Sequence, residues 1–197
     1  KPWHLQMVKF LTRRGPCVHI QQAPSSLPLE RQRYLRRFLQ INKYPQRDKM
    51  PINHIIVLDK RPEGEVSSSN FKLISAPTPD LKEGQVLIRH HYLSLDPYMR
   101  GRMNAGKNYA QPQPLNEVMI GGTVGEVVES QHAKFSVGQT VQCMGGWQEY
   151  SVINAGVAGA LKHVNAEKIS ISHYLGAVGM PGVTAWYGLV KIIQAKP

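Results

Sequence analysis

The chain has 197 residues, 42% of them apolar, enough to bury one respectable core but hardly two full domains. Its net charge of +11 is lopsided: residues 1–49 carry eleven Lys or Arg against Glu30 and Asp48, and the rest is nearly neutral. No apolar run reaches bilayer length, the first residues lack the pattern of a secretory signal, and Cys17 and Cys143 have no paired spacing, so a soluble protein of the reducing cytoplasm is expected.

Residues 1–49 are rich in Arg, Gln and Pro without a sustained apolar period, which predicts a poorly ordered extension. One stretch differs. From Glu30 to Ile41, Tyr34, Leu35, Phe38, Leu39 and Ile41 share a helical face, with Arg31, Arg33, Arg36 and Arg37 largely elsewhere. This short basic amphipathic helix suits a mitochondrial targeting segment or a surface-binding arm. The plainer reading is upstream sequence, because Met50-Pro51 opens a stretch of different composition. The arm has no aromatic stacking pattern, so neither nucleic acid nor membrane is an expected partner.

From residue 50 to 197 a single folded domain is expected. It begins with short β-type runs set off by turn residues: INHIIVL, FKLIS, then QVLIRHHYLSL after Lys82-Glu83-Gly84. VMIGGTVGEVVES, QTVQCMG and WQEYSVI follow at the short spacing of a closed or nearly closed all-β unit, so a small barrel is predicted. On the third run His90 and His91 must point to opposite faces. The end changes character. Ser170 to Val178 and Val183 to Ile193 have helical spacing, and Gly179-Met180-Pro181-Gly182 breaks them apart. In the second of these, Trp186, Leu189, Val190 and Ile193 make an apolar face that requires a partner surface.

Several common answers are missing from the residues: there is no GxGxxG, no GxxxxGK[ST] and no HExxH. Gly121-Gly122-Thr123-Val124-Gly125 superficially suggests a phosphate loop, but apolar neighbours and a continuing strand favour tight packing or a hinge. The most distinctive segment is Leu93-Ser94-Leu95-Asp96-Pro97-Tyr98-Met99-Arg100-Gly101-Arg102-Met103, where a strand runs into an Asp-Pro turn and then exposes bulky groups. Tyr98, and Tyr109 on the loop beyond, either offer phenol hydroxyls to a carbonyl oxygen or serve as amphipathic wall residues.

LSLDPYMRGRM resembles a signature of the zinc-independent medium-chain dehydrogenases/reductases, in the branch of prostaglandin/leukotriene reductases, alkenal double-bond reductases and curcumin reductase. The resemblance continues through EGQVLIRHHYLSLDPYMR, VMIGGTVGEVVES, GWQEYSV and LGAVGMPGVTAWYGL, in family order, and covers residues 52–197. It implies a mainly β fold: a GroES-like β-barrel domain with C-terminal helices, which in the family precedes a Rossmann domain that binds NADPH. The chain ends at Lys196-Pro197, before the place of that second domain, so the Rossmann domain is expected to be absent and NADPH is not expected to bind this chain alone. Where zinc-dependent relatives carry Gly-His-Glu, this chain matches with Gly121, Gly122 and Thr123, so no metal is expected.

The same resemblance assigns Met180, Pro181, Gly182 and Thr184 to the MPG-x-T segment beside the nicotinamide ring, and Tyr98 and Tyr109 to the substrate pocket. Each has a structural alternative: Pro181 and Gly182 bend the backbone, Met180 fills core, Thr184 caps the helix it opens. The implied activity is NADPH-dependent reduction of the carbon–carbon double bond of an enone or enal, with this chain as an inactive substrate-side fragment. A rival expectation is a non-catalytic assembly module that forms a homo-oligomer or pairs with a full-length relative.

Overall fold

A computed structural model describes residues 7–9, 51–106 and 110–196. The chain divides into two units, Lys1–Phe10 with Ile52–Pro197, and Leu11–Pro51. The described elements belong to the first unit. The basic helix read at Glu30 to Ile41, and Cys17, lie outside the described residues.

The described strands are β1 (Met7–Lys9), β2 (Ile52–Leu58), β3 (Phe71–Pro77), β4 (Gln85–Ser94), β5 (Thr123–Ser130), β6 (Thr140–Cys143), β7 (Tyr150–Asn154) and β8 (Leu161–His163), and every pairing among them is antiparallel. The fold is mainly β, as the spacing of the runs predicts. β4 is the spine. One edge pairs with β5, and the other carries β7 along Gln85–Arg89 and then β1 along Tyr92–Ser94. β5 continues to β6 and β6 to β8, giving the order β1-β4-β5-β6-β8. β2 and β3 form a hairpin in full register, Ile52 opposite Pro77 and Leu58 opposite Phe71. The free edge of β2 reaches back by isolated bridges from Ile55 to Gln148 and from Val57 to Val118, so the hairpin closes over the curled sheet.

Alternation explains why this sheet curls around a core. Val86 and Ile88 of β4 meet Val127 of β5, Val141 and Cys143 of β6 and Leu161 of β8 in one buried cluster that Phe135 completes. A second cluster, Leu58, Met103 and Met119, seats the hairpin, with Phe71 and Trp147 packed against it and their rings stacked 5.4 Å apart. The register of β4 on β5 shifts between His90 and Tyr92, a bulge. His90 faces inward at 3% exposure, while His91 stands outside near Glu126.

The helical end departs from the sequence expectation. The stretch from Ser170 is a short 3-10 turn, Ile171–Leu175, and α-helix resumes three residues before Val183, at Met180. Proline explains the earlier start. Pro181 lies in the first turn, where its missing N–H has no partner to lose, so the Gly179–Gly182 break is also the helix entrance. The helix Met180–Trp186 passes into a π-helical segment, Tyr187–Ile192, and neither contains a buried residue. Among the described residues no helix is long and apolar enough to cross a membrane.

Candidate functional site

The turn after β4 is built by local bonds. Ser94 N–H donates to Gly122 O at 2.9 Å, fixing the strand end, and its hydroxyl donates to Asp96 Oδ1 at 3.0 Å. Asp96 O then accepts Met99 N–H, Pro97 takes the N-cap at φ −55°, and helix α1 (Tyr98–Arg102) begins. The sequence reading has this segment exposing its bulky groups, but two of them go into the core. Met99 and Met103, one turn apart, are 3% and 4% exposed and anchor α1 in the core. Tyr98, on the neighbouring face, is left partly buried. Tyr109 lies outside the described residues.

Gly121 lets this anchoring happen. A Cβ there would lie 2.6 Å from Leu93 Cδ1, 3.1 Å from Trp147 Cδ1 and 3.2 Å from Met99 Cε, so three side chains converge where a larger residue would stand. At Gly125 a Cβ would meet the Arg89 carbonyl oxygen of β4. The glycine-rich run thus serves close strand packing and is no phosphate cradle.

Around α1 lies a polar frame. Arg61, on the loop after β2, donates from Nη1 to Met103 O at 2.6 Å and from Nη2 to Gln113 O at 3.2 Å. Arg100 donates back to that loop, to Gly64 O at 2.6 Å, and to Asn104 Oδ1 at 2.7 Å. Gln113, 3% exposed, donates from its backbone to Arg102 O and from Nε2 to Val118 O, and its Oε1 accepts Ile120 N–H.

Inside the sheet, sequence reading missed a buried polar cluster. His90 Nε2 and Ser151 Oγ are 2.8 Å apart, and Thr123 Oγ1 accepts Gly145 N–H at 3.1 Å and lies 3.3 Å from Cys143 Sγ. Burial, reinforced by the charge of His91, lowers the His90 pKa to about 3, so its ring is neutral at ordinary pH. Burial pushes the Cys143 thiol up, against the opposing hydrogen bonds of Thr123, Ser151 and Gly145. A Cβ at Gly145 would lie 2.3 Å from His90 Nε2, so that glycine makes room for the ring. Alternation flags His90 as facing inward, but nothing in the sequence pairs it with Ser151, 61 positions away.

Met180, Pro181, Gly182 and Thr184 come together on the first turns of α2 (Met180–Trp186), and Tyr98 stands apart on α1. Met180 is 75% exposed and so fills no core. Gly182 is demanded by the backbone: its N–H donates to Gly176 O, and a Cβ would collide with Ala177 O. Thr184 is no cap. Gly179 holds that position, and Thr184 Oγ1 donates to Met180 O one turn back at 2.8 Å. Val183 beside it, and Trp186, Tyr187, Leu189 and Val190 beyond it, are exposed, with Lys191 Nζ 5.5 Å from the Trp186 ring centre. Among the described residues no group of three or more His, Cys, Asp or Glu is placed to hold a metal ion.

Residues 54–161 match the family described as the N-terminal domain of oxidoreductase. The chain is 43% identical over 140 residues to the NADPH-dependent curcumin reductase of Escherichia coli, covering 71% of this chain and 40% of that protein. It is 37% identical over 139 residues to prostaglandin reductase 1 of Rattus norvegicus, with 71% and 40% covered. Among solved structures, CurA from Vibrio vulnificus superposes with a TM-score of 0.66 at 46% identity over 73% of this chain and 42% of that one, and CurA in complex with NADPH scores 0.66 at 44% identity. The chain spans about 40% of the length of the curated relatives it matches. It belongs to the medium-chain dehydrogenase/reductase family, in the branch of the curcumin and prostaglandin reductases, and corresponds to the N-terminal, GroES-like part of those enzymes.

Proposed function

We propose that this chain is the substrate-side part of a cytoplasmic, NADPH-dependent oxidoreductase that reduces the carbon–carbon double bond of α,β-unsaturated ketones or aldehydes. The observation that carries the reading is the placement of Tyr98. The signature segment folds as a short helix held in the core by Met99 and Met103, and it leaves a phenol partly buried at the end of β4. Hydride addition to the β-carbon of an enone develops negative charge on its carbonyl oxygen. A phenol O–H in a partly dry wall is suited to meet that charge. Tyr109 is proposed as a second wall residue of the same pocket.

The residues present fit NADPH in part. The exposed turn of Met180, Pro181, Gly182 and Thr184 offers a flank for the nicotinamide ring, whereas the glycine-rich run at 121–125 is filled by its neighbours and gives the phosphates no cradle. When bound, the cofactor supplies the hydride. This chain's own part is to orient the enone and exclude water around its carbonyl.

The reading predicts binding without turnover. Curcumin mixed with the 197-residue chain should change its fluorescence on binding, Tyr98→Phe should weaken that binding several-fold, and NADPH absorbance should stay constant. Sustained NADPH oxidation by the chain alone would overturn the fragment reading, and unchanged binding in Tyr98→Phe would overturn the pocket.

The exposed apolar residues of α2 and the π-helical segment favour a second reading, an assembly module that pairs with a full-length relative. Activity gained or lost on titrating the chain into curcumin reductase supports it, and no change at equimolar ratio counts against it.

A further inference from the structure

Between α1 and the loop after β2, two arginines run in opposite directions. Arg61 leaves the loop and reaches the end of α1, and Arg100 leaves α1 and reaches Gly64 on the loop. The loop itself is pinned at its base, where Asp59 N–H and Lys60 N–H both donate to Asn70 O, and Asn70 is buried. Arg61 therefore extends from a fixed point. Among the described residues no carboxylate pairs with its guanidinium, and its two terminal nitrogens go to backbone carbonyls.

Those carbonyls, of Met103 and Gln113, are the two ends of one loop. Arg102 O accepts Gln113 N–H at 2.6 Å beside them, and the buried Gln113 side chain ties the following segment at Val118 and Ile120. A planar guanidinium holds its N–H groups at fixed separation, so one side chain can grip two carbonyls at once. An ammonium also has donors to spare, but they radiate from one freely rotating centre, so it does not hold two carbonyls in a fixed mutual orientation. Met103 O also lies at the carbonyl end of α1, where a cation is favoured.

We propose that Arg61 is a positioning residue for the substrate pocket: by forking between Met103 O and Gln113 O it locks both ends of the 103–113 loop and fixes the rotation of α1, and with it the direction of the Tyr98 phenol. The inference rests on the reading of Tyr98 as a pocket residue, and its test separates the two.

The chain labelled with 3-fluorotyrosine gives a fluorine spectrum in which Tyr98, Tyr150 and Tyr174 are assigned by the signals lost in their Phe variants. In Arg61→Ala the Tyr98 signal should shift by more than its linewidth, with Tyr150 and Tyr174 unmoved. Arg61→Lys should show a displaced Tyr98 signal too, because an ammonium does not reproduce the planar fork, and its curcumin affinity should fall roughly tenfold. If Arg61→Ala fails to fold, Arg61→Lys carries the test. A Tyr98 signal that stays in place, that is restored by lysine, or that moves together with Tyr150 and Tyr174 overturns the positioning role. Curcumin that leaves the Tyr98 signal of the unaltered chain unmoved overturns the pocket reading instead, whatever the arginine variants show.

Discussion

At the scale of single residues, His90 is a sharp test of the structure. Its pKa of about 3 when folded lies below the ordinary value of 6.5, so between those values the unfolded chain takes up a proton that the folded chain refuses. Its contribution to stability is complete above about pH 6.5 and declines as the pH falls toward 3, by about 1.4 kcal/mol per pH unit at most. Urea midpoints at pH 7, 6 and 5 should therefore converge between the unaltered chain and His90→Gln as acid is added. Parallel curves would mean that the ring is not buried. Cys143 makes a companion case: with its thiol buried and its pKa raised, a Cys17→Ser variant should leave a single cysteine that reacts with a disulfide reagent at pH 8 many-fold faster in urea than in the native protein.

At the scale of elements, the glycines are graded by what surrounds them. Gly125→Ala places a methyl group against the Arg89 carbonyl, so β4 and β5 must part, and a loss of about 3 kcal/mol is expected from urea unfolding. Gly106→Ala meets nothing within 4 Å and should cost under about 0.5 kcal/mol. Gly182→Ala conflicts with Ala177 O, so a defect there reports the turn and does not test cofactor contact. Thr184→Val is the cleaner probe, since it removes an exposed hydroxyl bonded within its own helix. The strands were legible because half-buried sheets write their alternation into the chain, and INHIIVL matches β2 residue for residue. β8, three residues long, is too short to show a period. The α1 helix hides behind an Asp-Pro turn because five residues cannot display a helical face, and only Met99 and Met103 reveal which side goes in. The motif singles out Tyr98 as a pocket residue, and the structure adds only that it is partly buried on α1. The grip of Arg61 on two carbonyls depends on backbone geometry 42 and 52 residues away, and sequence spacing does not encode it.

At the scale of the molecule, polarity is arranged in an unusual order. The curled sheet holds a buried polar cluster inside, while large apolar side chains lie outside on the last helical turns: Trp186 53%, Leu189 54% and Ile193 70% exposed. A patch of this kind acts as an interaction surface. Sedimentation of the chain should show self-association that Leu189→Lys and Ile193→Lys together abolish, and a monomer at tens of micromolar would remove the patch as a self-contact.

Trp147, stacked on Phe71, and Trp186, at the other end of the chain's fold, are two separate optical reporters. One indole packs on Phe71 against the Leu58, Met103 and Met119 cluster and another lies half in water beside Lys191, so their emissions differ in colour and in access to iodide. With Trp3 replaced by phenylalanine, covering of the outer face would blue-shift and shield only Trp186, and loosening of the β2–β3 hairpin from the sheet would red-shift only Trp147. Assembly and unfolding can thus be followed separately in one cuvette, by light that the chain itself emits.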